Sequence, residues 1–84
     1  MKPIMFTAHA RGYEMRRGFT FEEVVEAIRT EAWTPADRGR LECRKNFAIN
    51  GTWNGTAYTT KQVRPVFVDE PEQIYVITVY TYYF

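Results

Sequence analysis

The stretch of residues 6–19 combines the side chains that acid–base chemistry on a phosphate requires. His9 is the only histidine of the chain, and Arg11, Arg16 and Arg17 follow it within eight residues. Imidazole changes its charge near neutral pH, so it can both accept and give a proton. Guanidinium groups bind phosphate oxygens through two parallel hydrogen bonds. The stretch therefore indicates a site that handles phosphate, with His9 as its base or acid.

The environment of His9 follows from the helix that this stretch predicts. Thr7 is a favourable N-cap, and the helix is expected to run to about Arg17. As the second helical residue, His9 would be kept neutral by the positive helix end, whose N–H groups can also hold an anion. Helical spacing places Tyr13 and Arg16 on the same face. The alternative is that His9 only packs at the edge of a helix–sheet contact.

Basic side chains in the second half of the chain are further candidates for binding phosphate. Arg44 shares one strand face with Arg40 and Glu42, since the three are spaced two residues apart. Lys61 and Arg64 lie just before and within the next predicted strand. The alternative is that these charges only solvate an exposed sheet face and pair with glutamates.

The residues from Ile74 to Phe84 form the strongest predicted strand, because β-branched and aromatic side chains dominate it. Strict alternation would put Tyr80 and Tyr82 on one face of the strand. Tyr75 and Val79 would lie on the other face, in the core. Exposed tyrosines close to cations can stack on RNA bases. The alternative is a central strand with apolar contacts on both sides.

Two helices are expected to position the first of these residues. Gly18 stands where a left-handed residue ends the first helix. Thr20 and Glu23 have the spacing of a capping box for the second helix, which should end before Pro35. The apolar residues of this second helix recur with helical spacing and predict one buried face.

Strand patterns fill the remainder of the chain. Alternation starts at Leu41, and Asn-Gly pairs at residues 50–51 and 54–55 predict tight turns. Pro65 lacks an N–H donor, so its strand is expected at a sheet edge or at a bulge. Helices followed by strands predict an α+β fold. We expect a single domain over residues 1–84, in which two N-terminal helices pack on one face of a three- to four-stranded antiparallel sheet.

Composition excludes several classes of protein. The net charge is only +1, so a nucleic-acid site must be a local basic patch. With Cys43 as the only cysteine and His9 as the only histidine, the chain cannot form an internal disulfide or a zinc site of His and Cys alone. Cofactor motifs are absent, so we expect no metal and no cofactor. Neither a signal-peptide pattern nor a membrane-spanning apolar run is present, so we expect a cytoplasmic protein.

The order of three short motifs resembles a family of short bacterial proteins of unassigned function. The motifs are Thr-Ala-His-Ala at residues 7–10, Arg-Gly-Phe at residues 17–19 before the Thr-x-x-Glu cap, and Val-Ile-Thr-Val-Tyr at residues 76–80. This family is similar to the BrnT-like and RelE-like toxins, within the wider group of barnase, EndoU, colicin and RelE ribonucleases. Tyr13 and Glu14 depart from the Arg-Met pair that the family often has.

The resemblance implies helices packed on an antiparallel sheet, metal-independent RNA cleavage on the open side of that sheet, and an antitoxin protein as partner. His9, Arg17 and Tyr80 match residues of the family. Lys61 and Arg64 stand where such toxins often place strand cations.

We therefore expect a toxin-type endoribonuclease that cleaves RNA, free or on the ribosome, by attack of the 2′-hydroxyl on the adjacent phosphorus. The expected catalytic residues are His9, Arg64 and Tyr80. The residues expected to bind RNA phosphate are Arg16, Arg17, Arg44 and Lys61, and Tyr82 is expected to stack on a base. The alternative is a non-catalytic module of the same fold that binds a protein or nucleic acid. In either case the protein would be a monomer or a homodimer.

Overall fold

The computed structural model describes residues 2–84 as an α+β fold, the class that the sequence predicts. The helices are α1 (Ala8–Gly12), α2 (Glu14–Arg17) and α3 (Phe21–Thr30). The strands are β1 (Ile4–Phe6), β2 (Thr34–Pro35), β3 (Leu41–Glu42), β4 (Lys45–Trp53), β5 (Thr56–Asp69) and β6 (Ile74–Tyr83), and a 3₁₀ turn (Asp37–Gly39) separates β2 from β3. Within the described residues there are thus more helices and strands than expected: the first predicted helix is divided in two, and the short strands β2 and β3 add to the sheet.

The sheet is mixed rather than purely antiparallel. Its order is β1-β6-β5-β3-β2, and β4 also pairs with β5. β1 runs parallel to β6, with Ile4 opposite Ile74, whereas the other pairs are antiparallel. The expectation of an antiparallel sheet is wrong at this edge because β1 and β6 are separated by almost the whole chain. A parallel pair requires such a long connection.

The first predicted helix is divided into α1 and α2. The Thr7 cap is confirmed, since its Oγ1 accepts the N–H of Ala10 at 3.1 Å. Tyr13 interrupts the helix with φ −98° and ψ −3°, directly after Gly12, a residue of low helix propensity. Gly18 is left-handed at φ +75°, as predicted, and ends α2.

The capping box of α3 is confirmed. Thr20 Oγ1 accepts the N–H of Glu23 at 3.1 Å, and the Glu23 carboxylate accepts the N–H of Thr20 at 2.8 Å. The helix ends at Thr30, before Pro35. These two reciprocal bonds satisfy N–H groups that a helix start otherwise leaves without partners.

The hydrophobic core joins α3 to the sheet. α3 buries Val24, Ala27 and Ile28, and these residues share one cluster with residues of β5 and β6. The buried sheet and loop residues of this cluster include Phe19, Cys43, Val63, Phe67, Ile74, Val76 and Val79. We call the opposite side of the sheet, which carries Arg64, Tyr80 and Tyr82, the open face. None of the helices within residues 2–84 is long and apolar enough to cross a membrane.

Of the two predicted turns, one forms. Asn54 and Gly55 connect β4 to β5 with φ values of +51° and +82°, as a two-residue hairpin turn requires. Asn50 and Gly51 lie inside β4, where the pairing with β5 shifts register between Ala48 and Gly51. The prediction of a turn there is wrong, because long-range pairing with β5 extends the strand through it.

Pro65 lies in an interior strand rather than at an edge. β5 pairs with β6 on one side and with β3 and β4 on the other. Pro65 falls between the β3 and β4 pairings, and its carbonyl accepts the N–H of Cys43. The missing Pro65 N–H is therefore accommodated where the ladder is already interrupted.

A bulge in β6 changes which of its residues are buried. The register with β5 shifts between Val66 and Phe67, which leaves one extra residue in β6 near Ile77. Val76 and Val79 are therefore both buried, whereas Tyr75, expected in the core, is 36% exposed. Strict alternation fails because a bulge moves the following residues to the other face.

Candidate functional site

His9 is exposed on α1, a helix whose cap residue Thr7 is hydrogen-bonded to β6. Thr7 Oγ1 donates to the carbonyl of Ile77 at 3.1 Å, and the Thr7 N–H donates to the carbonyl of Val76. The imidazole lies edge-on to Tyr13, with ring centroids 4.7 Å apart. The helix is attached to β6, and the His9 side chain faces solvent beside an aromatic ring.

The length of α1 changes the argument about His9. The helix has only five residues, so few peptide dipoles add up at its start. The sequence argument for an anion held at this helix end relied on a helix running to Arg17. What remains of it is the spacing of His9 and Tyr13, four residues apart, which brings the two rings together as predicted.

Tyr13 begins a series of stacked aromatic rings and guanidinium groups. The Arg17 guanidinium lies 3.9 Å from the Tyr13 ring centroid and 4.9 Å from that of Tyr80. The Arg64 guanidinium lies 5.2 Å from Tyr80. We call His9, Tyr13, Arg17, Tyr80 and Arg64 the aromatic–arginine ladder. Each contact is within the range in which a cation is attracted to an aromatic ring, so the ladder runs continuously from α1 onto the open face.

Arg17 is the residue that joins the helices to the open face. Its Nη1 donates to the carbonyl of Val79 at 2.7 Å and to Thr78 Oγ1 at 3.4 Å. Its own carbonyl accepts hydrogen bonds from Thr81 Oγ1 at 2.5 Å and from Tyr83 OH at 2.8 Å. Arg17 is therefore held from both its backbone and its side chain, and its guanidinium orientation is fixed between two tyrosines.

Arg64 is bound by two neighbours on the open face. Its Nε and Nη2 donate to the Glu42 carboxylate at 2.7 and 2.9 Å, and its Nη1 donates to Tyr82 OH at 3.1 Å. The hydrogen bond from Arg64 holds the pKa of Glu42 below its usual range, and the same bond raises the pKa of Arg64. The pair orients Arg64 and Tyr82 together, and it leaves Arg64 little capacity to clamp a phosphate unless Glu42 moves.

This pairing gives a prediction for Glu42→Gln. A depressed carboxyl pKa contributes stability that is present above the unfolded pKa and is lost as pH falls through the folded pKa. We expect the variant to lower the free energy of unfolding by about 1–3 kcal/mol at pH 7. The difference from wild type should begin to shrink as pH falls below the ordinary glutamate pKa of about 4.3, and it should disappear once the lowered pKa of folded Glu42 is passed. Chemical denaturation across this pH range checks the result, and a difference that persists unchanged in acid would contradict it.

A cavity lies beside the ladder on the open face. Its volume is about 580 Å³. Its polar walls are Asp37, Arg38, Arg40, Glu42, Arg64 and Thr78, and its apolar walls are Pro35, Val66 and Tyr80, with Ala36 at the loop. The loop between β2 and β3 thus forms one side of the cavity and the strands form the other.

Two predicted phosphate-binding residues are accessible near the ladder. Arg16 is exposed, and its guanidinium lies 5.6 Å from the Tyr13 ring. Arg44 has a side chain that is 56% exposed, and its Nε lies 3.7 Å from the Glu42 carboxylate. Both can reach a ligand on the surface without breaking a buried contact.

Lys61 does not join these residues. It is buried on the side of the sheet where α3 lies, and its Nζ donates to Glu23 at 2.8 Å and to the carbonyl of Gly18 at 2.9 Å. The prediction that Lys61 binds RNA phosphate conflicts with this position, because its charge is already paired and shielded from the open face. Lys61 has the same strand parity as the buried Val63, and this alternation is a sequence signal that separates it from Arg64.

The structure adds Tyr13 and Glu42 to the predicted site residues. Tyr13 can be found from the sequence, since it lies one helical turn after His9. Glu42 pairs with Arg64 across 22 positions of the chain, a separation that no local pattern reveals. Cys43 belongs to the core, where burial raises the pKa of its thiol to about 11 and makes it a poor nucleophile.

The geometry thus links an exposed imidazole on α1, through the aromatic–arginine ladder, to a polar cavity on the open face. Such a surface can bind a polyanion that carries flat aromatic groups, because cations and exposed aromatic edges are both present. No protein family model, curated protein or solved structure matches this chain.

Proposed function

We propose that the protein binds single-stranded RNA along the open face and cleaves it in a reaction that needs no metal ion. The observation that carries the proposal is the aromatic–arginine ladder, which begins at the exposed imidazole of His9 and ends beside the cavity at Arg64. Single-stranded RNA offers regularly spaced phosphates and unpaired bases, and proteins bind it with cations and aromatic side chains.

His9 is the proton-transfer group in this proposal. The imidazole accepts the proton of a ribose 2′-hydroxyl, and the 2′-oxygen attacks the adjacent phosphorus. The bond from phosphorus to the 5′-oxygen breaks, and that oxygen takes a proton from solvent water as it leaves, while His9 later returns its proton to solvent. The products are a 2′,3′-cyclic phosphate and a 5′-hydroxyl. His9 suits this role because it is exposed and lies against the Tyr13 ring, which restricts its orientation.

Arginines supply the positive charge that the pentacoordinate phosphorus needs. Arg16 is exposed next to Tyr13 and follows His9 by seven residues, on the next short helix. Tyr80 and Tyr82 lie on the same face, at 39% and 40% exposure, and their role is to contact bases. The phenol of tyrosine, with an ordinary pKa of about 10, is a weak base at neutral pH.

The proposed binding of RNA along the open face predicts a specific effect of Arg44→Gln. Each phosphate that a cation neutralises on a single strand adds about 0.7 to the slope of log affinity against log salt. We expect the variant to weaken RNA binding and to reduce this slope by about 0.7. Arg29→Gln, on α3, is the charge-matched control, because Arg29 lies away from the open face and donates to the carbonyl of Lys2. Equal slopes of log affinity against log salt for both variants would contradict the proposed binding of RNA along the open face.

The proposed reaction is tested by its products. Wild-type protein in excess chelator is incubated with a labelled single-stranded RNA, the matching duplex, and a version with 2′-deoxyribose throughout. We expect cleavage of the first substrate only, with 2′,3′-cyclic phosphate ends that mass spectrometry identifies. No cleavage of any RNA, free or on ribosomes, would refute the enzymatic proposal.

The second candidate is a module that binds RNA or a partner protein without cleaving RNA. The observation that favours it is the Glu42–Arg64–Tyr82 contact, which occupies the Arg64 guanidinium. Expression in a bacterium separates the candidates. A toxin-type nuclease, which would need an antitoxin partner in the cytoplasm, should arrest growth, whereas a binding module should not.

A further inference from the structure

The cavity of about 580 Å³ on the open face has a volume within the range of small-molecule sites. A phosphate ion would fill only a small part of it. Val66, which is 8% exposed, and Tyr80 line it from the strands, and the charged side chains of Asp37, Arg38 and Arg40 line it from the loop between β2 and β3. This division of apolar and charged walls fits a ligand that has a flat organic part and an anionic part.

The charges around the cavity leave a surplus that favours an anion. Arg64 and Glu42 neutralise each other through their bidentate contact. Arg38 and Arg40 make no ion pair within residues 2–84, and Asp37 is the one remaining carboxylate of the wall. Two guanidinium groups against one carboxylate therefore face the cavity, and guanidinium groups match the oxygens of a phosphate.

The loop that carries these arginines has an unusual backbone. Arg38 adopts φ +61° and ψ +33°, and Gly39 follows with φ +73°. Side chains larger than that of glycine rarely adopt this left-handed conformation. The two residues turn the chain between β2 and β3, and the Arg40 N–H closes the turn on the carbonyl of Asp37 at 3.2 Å. Arg38 and Arg40 thereby both line the cavity.

We propose that this cavity binds one nucleotide, with the phosphate held by Arg38 and Arg40 and the base against Tyr80 and Val66. The inference rests on the proposed function, because it assigns one nucleotide position of the RNA to a defined place. It goes further in that the cavity should hold a free mononucleotide, whether or not the protein cleaves a chain.

Binding of mononucleotides tests the assignment. Adenosine, guanosine, cytidine and uridine monophosphates, the nucleosides and inorganic phosphate are titrated into ¹⁵N-labelled wild-type protein, and NMR shifts are recorded. We expect saturable binding of at least one mononucleotide, with shifts at Arg38, Arg40 and Tyr80. The matching nucleoside and phosphate alone should each bind at least about tenfold more weakly.

Two variants locate the phosphate. Arg40→Ala should lower the affinity for the mononucleotide about 10- to 100-fold, the loss expected for a charge-assisted hydrogen bond. Arg38→Gly should have a similar effect, and its melting temperature should not fall, because glycine adopts the left-handed conformation without strain. Arg29→Ala, on the far side of the sheet, should bind the nucleotide like wild type.

Several results would overturn the assignment. These are the absence of saturable binding, equal affinity for phosphate and nucleotide, and unchanged affinity in both Arg38→Gly and Arg40→Ala. The proposed function is judged separately, by cleavage of RNA by wild-type protein. Cleavage without mononucleotide binding refutes the cavity assignment alone, and mononucleotide binding without cleavage refutes the reaction alone.

Discussion

His9→Ala will lower the rate of RNA cleavage by about 10²- to 10⁴-fold, the usual contribution of one positioned acid–base group. The substitution removes the only imidazole of the chain. The His9 side chain is exposed and its ring contact is with Tyr13, so the fold should tolerate its loss. Single-turnover kinetics on a labelled RNA measure the rate, and thermal melting measures the stability.

Two further measurements make this result specific to proton transfer. RNA affinity of His9→Ala should stay within about threefold of wild type, because the cations of the open face remain. Arg11→Ala, with a change in the same helix, should retain cleavage. If His9→Ala cleaved RNA at the wild-type rate, another group would have to move the proton and the proposed role of His9 would be wrong.

Gly18→Ala will destabilise the protein by about 3 kcal/mol, the sum expected for a left-handed alanine and an overpacked contact. Gly18 has φ +75°, and a Cβ atom there would lie 2.7 Å from the Trp53 ring and closer still to Tyr83 OH. Tyr83 OH is held in this position by its hydrogen bond to the Arg17 carbonyl, and Trp53 is stacked on the Tyr83 ring with centroids 5.1 Å apart. The expected fall in melting temperature is about 10–20 °C for a domain of this size.

Gly12→Ala is the matched control for this prediction. A Cβ atom at Gly12 has no neighbour within 4 Å, and alanine is the better helix former. We expect this variant to be at least as stable as wild type. Gly18→Ala should also reduce RNA cleavage, since Gly18 follows Arg17, whose carbonyl is bound by Tyr83. A Gly18→Ala protein as stable as Gly12→Ala would contradict this prediction, because it would show that the Trp53 and Tyr83 rings move aside at little cost.

Local signals predicted the helical half of the fold well. The helix ends are set by contacts between residues that are close in the sequence, at Thr7, at Gly18 and in the Thr20–Glu23 box. A local sequence pattern can therefore predict them. The division of the first helix departs from the predicted single helix, because the favourable Thr7 cap does not offset the low helix propensity of Gly12. Its low helix propensity was the signal that could have predicted the interruption at Tyr13.

The sheet shows where local reasoning fails. Asn50 and Gly51 have the composition of a turn, yet pairing with β5 carries β4 through them. The bulge near Ile77 lies directly after Val76, where the pairing of β6 with β1 ends, and no short sequence pattern predicts it. Propensities at such positions are outweighed by tertiary pairing.

The candidate site was predictable to the extent that its residues lie on one element. His9 and Tyr13 share a helix face, and Tyr80 and Tyr82 share a strand face, as expected. The register between strands decided the rest. It brings Arg64 opposite Tyr80 and puts Lys61 opposite Tyr83, on the side of α3. A register cannot be read from either strand alone, because it depends on both.

The parallel contact of β1 with β6 has a consequence for how the protein folds. Ile4 pairs with Ile74, so the pairing of β1 with β6 closes a loop of nearly the whole chain, whereas β4 and β5 meet through a two-residue turn. Loop closure costs more entropy as the loop lengthens, and distant contacts slow folding. We expect the β4–β5 hairpin to form early and β1 to dock last. Since α1 follows β1 directly, His9 would come to rest near β6 only in the final step, and a partly folded chain would carry no assembled site.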